Sequence, residues 1–365
     1  MSSESVAPST SYEHATSHYL CADRRDPVKR LWEEPFSRTV LALSIRALEP
    51  DPSRSVRVLD VGAGVGDGFS LLETAVGETD GEVPDLRGLP FSYLGLDVDA
   101  DMVETARAQF RDRPEVGFLQ ADVRRELPED PFDLYMSAGV PYSHLTADEF
   151  TAVLTDLFAT IHRHGSRAVV VLDVLGRYSM EWAPRWSQSS WDYNMSFFTD
   201  TDTESAEATE AIAARMTFYF RASLWECIAE AAGRAGAAVA DIEFYDRSVV
   251  VGRHTATGAF NPGLAPYRLL LNRLFDGDVA VDLADLALTP PTQDAPAEIA
   301  GFFASFCSAW NDVVADAAVR EQRHGVTACS RRGLARALRG VEHGMQRGLG
   351  TGHSLIAVVG IDGSR

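Results

Sequence analysis

The sequence predicts an α/β protein built on a doubly wound, mostly parallel sheet. Three observations carry that expectation. First, the run Val58-Leu59-Asp60-Val61-Gly62-Ala63-Gly64-Val65-Gly66-Asp67-Gly68 passes from β-branched residues into acid and then into alternating glycines. That is the pattern of a buried strand, a tight turn and a helix start. Second, two more short apolar runs follow, and each also ends in acid. Third, helical signals separate and follow these runs, the clearest being 147–162, where Phe150, Leu154, Leu157, Phe158 and Ile161 share one face.

Taken in order, residues 1–11 are polar and read as an unstructured tail. Residues 12–50 read as a helical cover. Asp26-Pro27 is a good helix start, and Val28, Leu31 and Trp32 form one apolar face. Within this cover Tyr12, His14, Tyr19 and Arg24 are expected either to face the site or to pack locally. The strand at 58–61 leads into a helix at 68–73. Residues 78–90, with Pro84, Gly88 and Pro90, read as a surface loop insertion, which costs a chain little. Further strands are expected at 91–99, 116–123, 132–136 and 168–172.

From 178 to 205 the pattern breaks. Tyr178, Trp182, Trp186, Trp191, Tyr193, Phe197 and Phe198 crowd among polar residues, either as an acceptor wall or as core beneath a lid. Residues 217–236 include a helix, 240–252 read as a sixth strand, and 354–360 as the last. Between these two strands lie about a hundred residues with helical signals at 266–275, 297–317 and 331–347 and a loop at Thr289-Pro290-Pro291.

The turn after the first strand reads as a ligand cradle, because glycine lets backbone approach a bound group closely. Its G-x-G-x-G spacing differs from the G-x-G-x-x-G of dinucleotide sites. Asp60, two residues before the first glycine, would repel a pyrophosphate and suits a cation or an ammonium group. Asp97 ends the second strand, where a carboxylate holds ribose hydroxyls. Asp122 ends the third, placed to accept from an adenine amine.

In this order the four strands over residues 56–177 resemble the class I S-adenosylmethionine-dependent methyltransferases, small-molecule type. The resemblance implies a seven-stranded, mostly parallel doubly wound sheet, with S-adenosylmethionine at the carboxyl ends of the first strands. It implies a Rossmann-like core over 51–254 and 354–365, preceded by an N-terminal tail and helical cover over 1–50; the family joins its last two strands by a short link, and residues 255–353 here read as a helical insertion before the last strand. That insertion reads as a lid or an oligomerisation element, so a homodimer is one expectation. By the same analogy Asp60, Gly62, Ala63, Gly64, Gly66, Asp97, Val98, Asp122, Val123 and Ser137 bind the cofactor. The loop after the fourth strand, Ser137-Ala138-Gly139-Val140-Pro141-Tyr142-Ser143-His144, borders the reacting atoms. His144 is the expected base, with Tyr142 and Tyr178 on the acceptor side. Asp173 reads as buried and structural.

Composition bounds the partners. Of 365 residues 45% are hydrophobic, ample for a packed core, and the net charge is −20. That charge argues against nucleic acid or an anionic membrane as partner, since both need basic surface. Lys29 is the single lysine, which looks like codon bias rather than chemistry. The cysteines, Cys21, Cys227, Cys307 and Cys329, are scattered without metal-like spacing. With no apolar leader or spanning run, a cytoplasmic protein is expected.

The reading is an enzyme that methylates a small-molecule acceptor in specialised biosynthesis, with no metal. Two alternatives stay open. One is transfer or cyclisation of the aminocarboxypropyl arm with release of methylthioadenosine. The other is a non-catalytic S-adenosylmethionine-binding protein.

Overall fold

The computed structural model describes residues 25–77, 88–194 and 213–363. Tyr12, His14, Tyr19, Arg24, Cys21, Phe197, Phe198 and most of the 78–90 segment lie outside the described residues.

Alternation of side chains builds the three-layer core. Strands β1 (Val56–Val61), β2 (Phe91–Asp97), β3 (Val116–Gln120), β4 (Leu134–Met136) and β5 (Arg167–Gly176) pair in parallel in the order β3-β2-β1-β4-β5. β9 (Ser354–Asp362) then lies antiparallel between β5 and β8 (Ala238–Arg247), with nine-residue registers to each. Successive residues of a strand face opposite layers. On β5, Val169 and Val171 therefore join one apolar cluster while Val170, Leu172 and Val174 join another.

The first cluster packs helices α1 (Glu34–Ala47), α2 (Asp67–Gly77) and α3 (Ala100–Gln109) on one face of the sheet. The second packs α4 (Ala147–Arg163) and α5 (Arg221–Ala235) on the other. The periodic residues Phe150, Leu154, Leu157, Phe158 and Ile161 of α4 are fully buried there. Thr146 caps α4 reciprocally with Glu149.

The N-terminal cover is one continuous helix whose first turns are π-helical over Lys29–Glu33. Pro35 explains the irregularity: it has no N–H for the Leu31 carbonyl. Arg339 of α9 (Ala328–Gly344) donates to that carbonyl instead, at 2.6 Å.

A third apolar cluster lies beyond the carboxyl end of the sheet. It joins Val28 and Trp32 to α7 (Tyr267–Asp276), α8 (Ala297–His324), α9 and the segment after β5. The short α6 (His254–Thr257) precedes α7. The aromatic residues at 178–193 belong to this cluster as core. Trp182, Trp186, Trp191 and Tyr193 are each 3% exposed or less, with Trp186 stacked on Phe303 and Trp191 on Phe218.

Three features depart from expectation. β5 runs on to Gly176, because Ser143 Oγ and the carbonyl of His353 accept its last N–H groups. A hairpin, β6 (Ser190–Asn194) with β7 (Ala213–Tyr219), extends that end of the sheet. β8 stops at Arg247, five residues early. Ser248 turns at φ +62°, and the Glu342 carboxylate of α9 accepts the N–H groups of Ser248 and Val249 at 3.0 and 2.9 Å.

Glu342 also accepts from the Trp32 indole at 2.9 Å, and burial pushes it up to about 7. A second buried carboxylate, Asp246, gathers the N–H groups of Leu349, Gly350 and Thr351 at 2.7–2.8 Å. These two acids fasten the helices beyond the sheet to its end.

Candidate active site

The cradle is built at the carboxyl end of β1. Gly62, Gly64 and Gly66 have φ of +70°, +54° and +95°, a region closed to most side chains. Gly62 is also pressed by the post-β4 loop, so a Cβ there would lie 2.3 Å from Pro141 Cβ. At Gly66 a Cβ would lie 2.4 Å from Phe110. Above Gly64 the space is open, with only Met102 Sδ at 3.8 Å. The loop is tied to β2: Ala63 N–H donates to the Leu96 carbonyl at 2.9 Å, and Gly64 N–H donates to Asp97 Oδ2 at 2.8 Å.

Asp60 sits beneath this loop and is 1% exposed. Tyr93 of β2 donates to its Oδ2, and its Oδ1 is buried with no hydrogen-bond partner among the described residues. Gly68 at the start of α2 is required here, because a Cβ would fall 2.0 Å from Oδ2. Burial raises Asp60 to about 7, and the nearby charges of Asp97 and Asp67 add to that. Burial also raises Asp97, whose Oδ1 accepts from Asp99 N–H.

Asp122 lies beside them, since Ala121 N–H donates to the Asp97 carbonyl. Arg124 grips both Asp122 oxygens at 2.8–2.9 Å and lowers its pKa. Val98, following Asp97, is 42% exposed, and Val123 is half-buried.

The post-β4 loop closes the other side. Ser137 is buried, and its Oγ accepts from Asp173 N–H at 3.0 Å. Gly139 N–H donates to Asp173 Oδ2, which also receives Arg247 at 2.8 Å. Val140 is held at φ +63°, a strained conformation for a β-branched residue. Tyr142 is 1% exposed, its hydroxyl lacks a partner among the described residues, and burial with the Asp60 charge pushes its phenol up. His144 is half-buried, and desolvation lowers its imidazole to about 4, so it is neutral at pH 7.

Asp60, Gly62, Ala63, Gly64, Gly66, Asp97, Val98, Asp122, Val123, Ser137 and Tyr142 thus lie at the carboxyl ends of β1 to β4 or in the loops that follow them. Tyr178 stands apart. It is 7% exposed and packs edge-on against Trp186 and Phe220 in the apolar cluster beyond the sheet. Two site features escape sequence reading. Tyr93 was readable only as a strand residue, and Arg247 reaches Asp173 across β9. A small cavity of about 20 Å³ lies beside that ion pair, lined by Ser37, Leu71, Ser137 and Asp173. The described residues contain no cluster of His, Cys, Asp or Glu suited to a metal and no helix long and apolar enough to cross a membrane.

Residues 58–165 match the family model of a methyltransferase domain. No curated protein matches the chain. Among solved structures, the CcbJ methyltransferase of Streptomyces caelestis is 16% identical, over 64% of this chain and 90% of that one, with a TM-score of 0.41. An S-adenosylmethionine-dependent methyltransferase of Clostridium acetobutylicum is 14% identical over 63% and 89%, with a TM-score of 0.39. Magnesium protoporphyrin IX methyltransferase of Synechocystis is 14% identical over 65% and 85%, with a TM-score of 0.36.

Proposed function

We propose that the chain is a class I S-adenosylmethionine-dependent methyltransferase that methylates a small molecule in specialised biosynthesis, a reading supported by the methyltransferase-domain match over residues 58–165. The observation behind the site assignment is a pair of buried polar atoms without partners among the described residues, Asp60 Oδ1, two residues before Gly62, and Tyr142 Oη, next to Pro141. Leaving such groups unpaired costs about 1–3 kcal/mol each. A ligand with donors, seated over the glycine cradle, removes that cost.

The residues present fit S-adenosylmethionine. Gly62, Ala63, Gly64 and Gly66 cradle the methionine and ribose part. Asp97 would accept from the ribose hydroxyls. Val98 and Val123 would flank the adenine, and Asp122 would accept from its amine. Asp60, Ser137 and Tyr142 line the methionine end. The bound cofactor supplies an electrophilic methyl group on a sulfonium.

The chain's own task is alignment and exclusion of water, which can supply on the order of 7–11 kcal/mol. Helices α7 to α9 and the aromatic core beneath them pack at the ends of β5 and β7, which suits an enclosed small acceptor better than a protein. We read residues 255–353 as that lid.

Calorimetry with S-adenosylhomocysteine tests the site. Wild type is expected to bind, and Asp97→Ala to lose at least tenfold in affinity. Equal binding by the two proteins would sink the assignment. Turnover of methyl-labelled S-adenosylmethionine tests the reaction, and methylthioadenosine as the sole nucleoside product would overturn methyl transfer.

A further inference from the structure

The turn after β4 carries backbone strain that cofactor binding by itself does not explain. Gly139 and Val140 are both left-handed, at φ +94° and +63°, and Pro141 follows at once. For a β-branched residue that region is a genuine outlier. A residue before proline is moreover driven towards extended backbone. Val140 therefore holds a conformation that its own side chain and its neighbour both oppose.

Hydrogen bonds fix the backbone around it. Gly139 N–H donates to Asp173 Oδ2 and Ser143 N–H to the Val140 carbonyl, each at 3.1 Å. Leu175 N–H of β5 donates to Ser143 Oγ at 2.8 Å. None of these bonds needs a side chain at position 140, and glycine there would carry no strain. On the Gly139 side a Cβ would meet no described atom within 4 Å, so packing does not support the turn there. The half-buried Val140 side chain packs against the apolar cluster beyond the sheet, the contact that offsets its strain.

The same turn reaches the glycine cradle. Pro141 Cβ and Cγ stand 2.3 and 2.9 Å from where a Cβ of Gly62 would be, so its ring is seated directly on the loop backbone. The next two residues of that loop, Ala63 and Gly64, are bonded to β2. Relaxation of Val140 to extended backbone would redirect the chain at Pro141 and lift the ring from Gly62.

We propose that Val140 is a positioning residue for the cofactor. The apolar cluster holds its side chain, the held side chain keeps the turn left-handed, and the turn keeps Pro141 on the cradle before any ligand arrives. The role towards the cofactor rests on the methyltransferase reading above; the seating of the turn does not. Strain and packing act in opposite directions at this one side chain, so substitutions there separate them.

Amide hydrogen exchange of the ligand-free full chain, read at Ala63 and Gly64, reports how often the cradle loosens. Val140→Thr keeps the β-branched strain but puts a hydroxyl into the apolar contact, and exchange at both amides should quicken by about tenfold, with α4 unchanged. Val140→Gly removes the strain together with the contact, and exchange should be no faster than in wild type. Affinity for S-adenosylhomocysteine, by calorimetry, should follow the same order: about tenfold weaker in Val140→Thr and not weaker in Val140→Gly. Unchanged exchange or unchanged affinity in Val140→Thr would overturn the proposal. So would quickening in Val140→Gly equal to that in Val140→Thr, or quickening in α4 to the same degree as in the cradle. Failure of the wild type to bind S-adenosylhomocysteine would instead overturn the methyltransferase site and leave the exchange result standing, so the two failures are distinct.

Discussion

Replacing Asp60 by Asn isolates the electrostatic cost of the acid beneath the glycine loop. In the unfolded chain this carboxyl titrates near 3.8, whereas burial lifts it to about 7 in the fold. Between those values the unfolded state binds fewer protons than the folded state, so stability falls as pH rises and levels off above about 7. Roughly three pH units at about 1.4 kcal/mol each give a loss of about 4 kcal/mol. Asn cannot ionise, and its amide oxygen still accepts from Tyr93.

The variant should therefore match wild type near pH 4.5 to within about 1 kcal/mol and exceed it by up to about 4 kcal/mol at pH 8.5. Urea midpoints across that range, measured without ligand, give the difference curve. A difference independent of pH would refute the reasoning, whatever its sign. Loss of affinity for S-adenosylhomocysteine should accompany the gain, since the unpartnered Oδ1 is assigned to the ligand.

Three other outcomes are expected. Asp246→Ala abandons three backbone N–H groups in a buried loop and should cost about 3–5 kcal/mol by urea unfolding; a loss below about 1 kcal/mol would show that the loop holds itself. Gly62→Ala combines φ +70° with a Cβ 2.3 Å from Pro141 and should weaken S-adenosylhomocysteine binding at least tenfold by calorimetry, while wild-type affinity would contradict the cradle geometry. Val140→Gly removes a left-handed β-branched residue and should raise the melting temperature, the relieved strain being on the order of 1–3 kcal/mol; a lower melting temperature would mean that the lost valine contacts outweigh that relief.

Much of the fold was legible because its signals are local. The β1 run, the glycine turn and the acids at 97 and 122 lie within short windows, and the face of α4 repeats at helical spacing. The hairpin at 190–219 was not legible. Trp191 and Tyr193 alternate at strand spacing, but polar neighbours mask the pattern, and its partner strand lies some 20 residues on. The end of β8 was misread for a longer-range reason. Val249, Val250 and Val251 are as strand-like as any residue here, but a carboxylate about 90 residues later takes the N–H groups on which a ladder would depend.

The same limit applies to the site. Tyr93 and Asp60, or Arg247 and Asp173, are joined only by the topology of the sheet. The aromatic segment illustrates a different ambiguity: tryptophans rich enough to line a pocket are equally suited to fill a core, and only packing separates the two.

The position of β9 bears on how the protein is made. Residues 354–362 thread between β5 and β8 and supply both with their full registers. Until the ribosome has produced them, β5 and β8 are two edges with open hydrogen-bonding groups, β5 strongly apolar, and such edges invite pairing with other chains. Contacts between residues 167–176 and 354–362 also close a long loop, a slow step in folding. Synthesis of this chain thus leaves a vulnerable sheet waiting for β9, and chaperone demand should rise sharply for any variant that weakens β9.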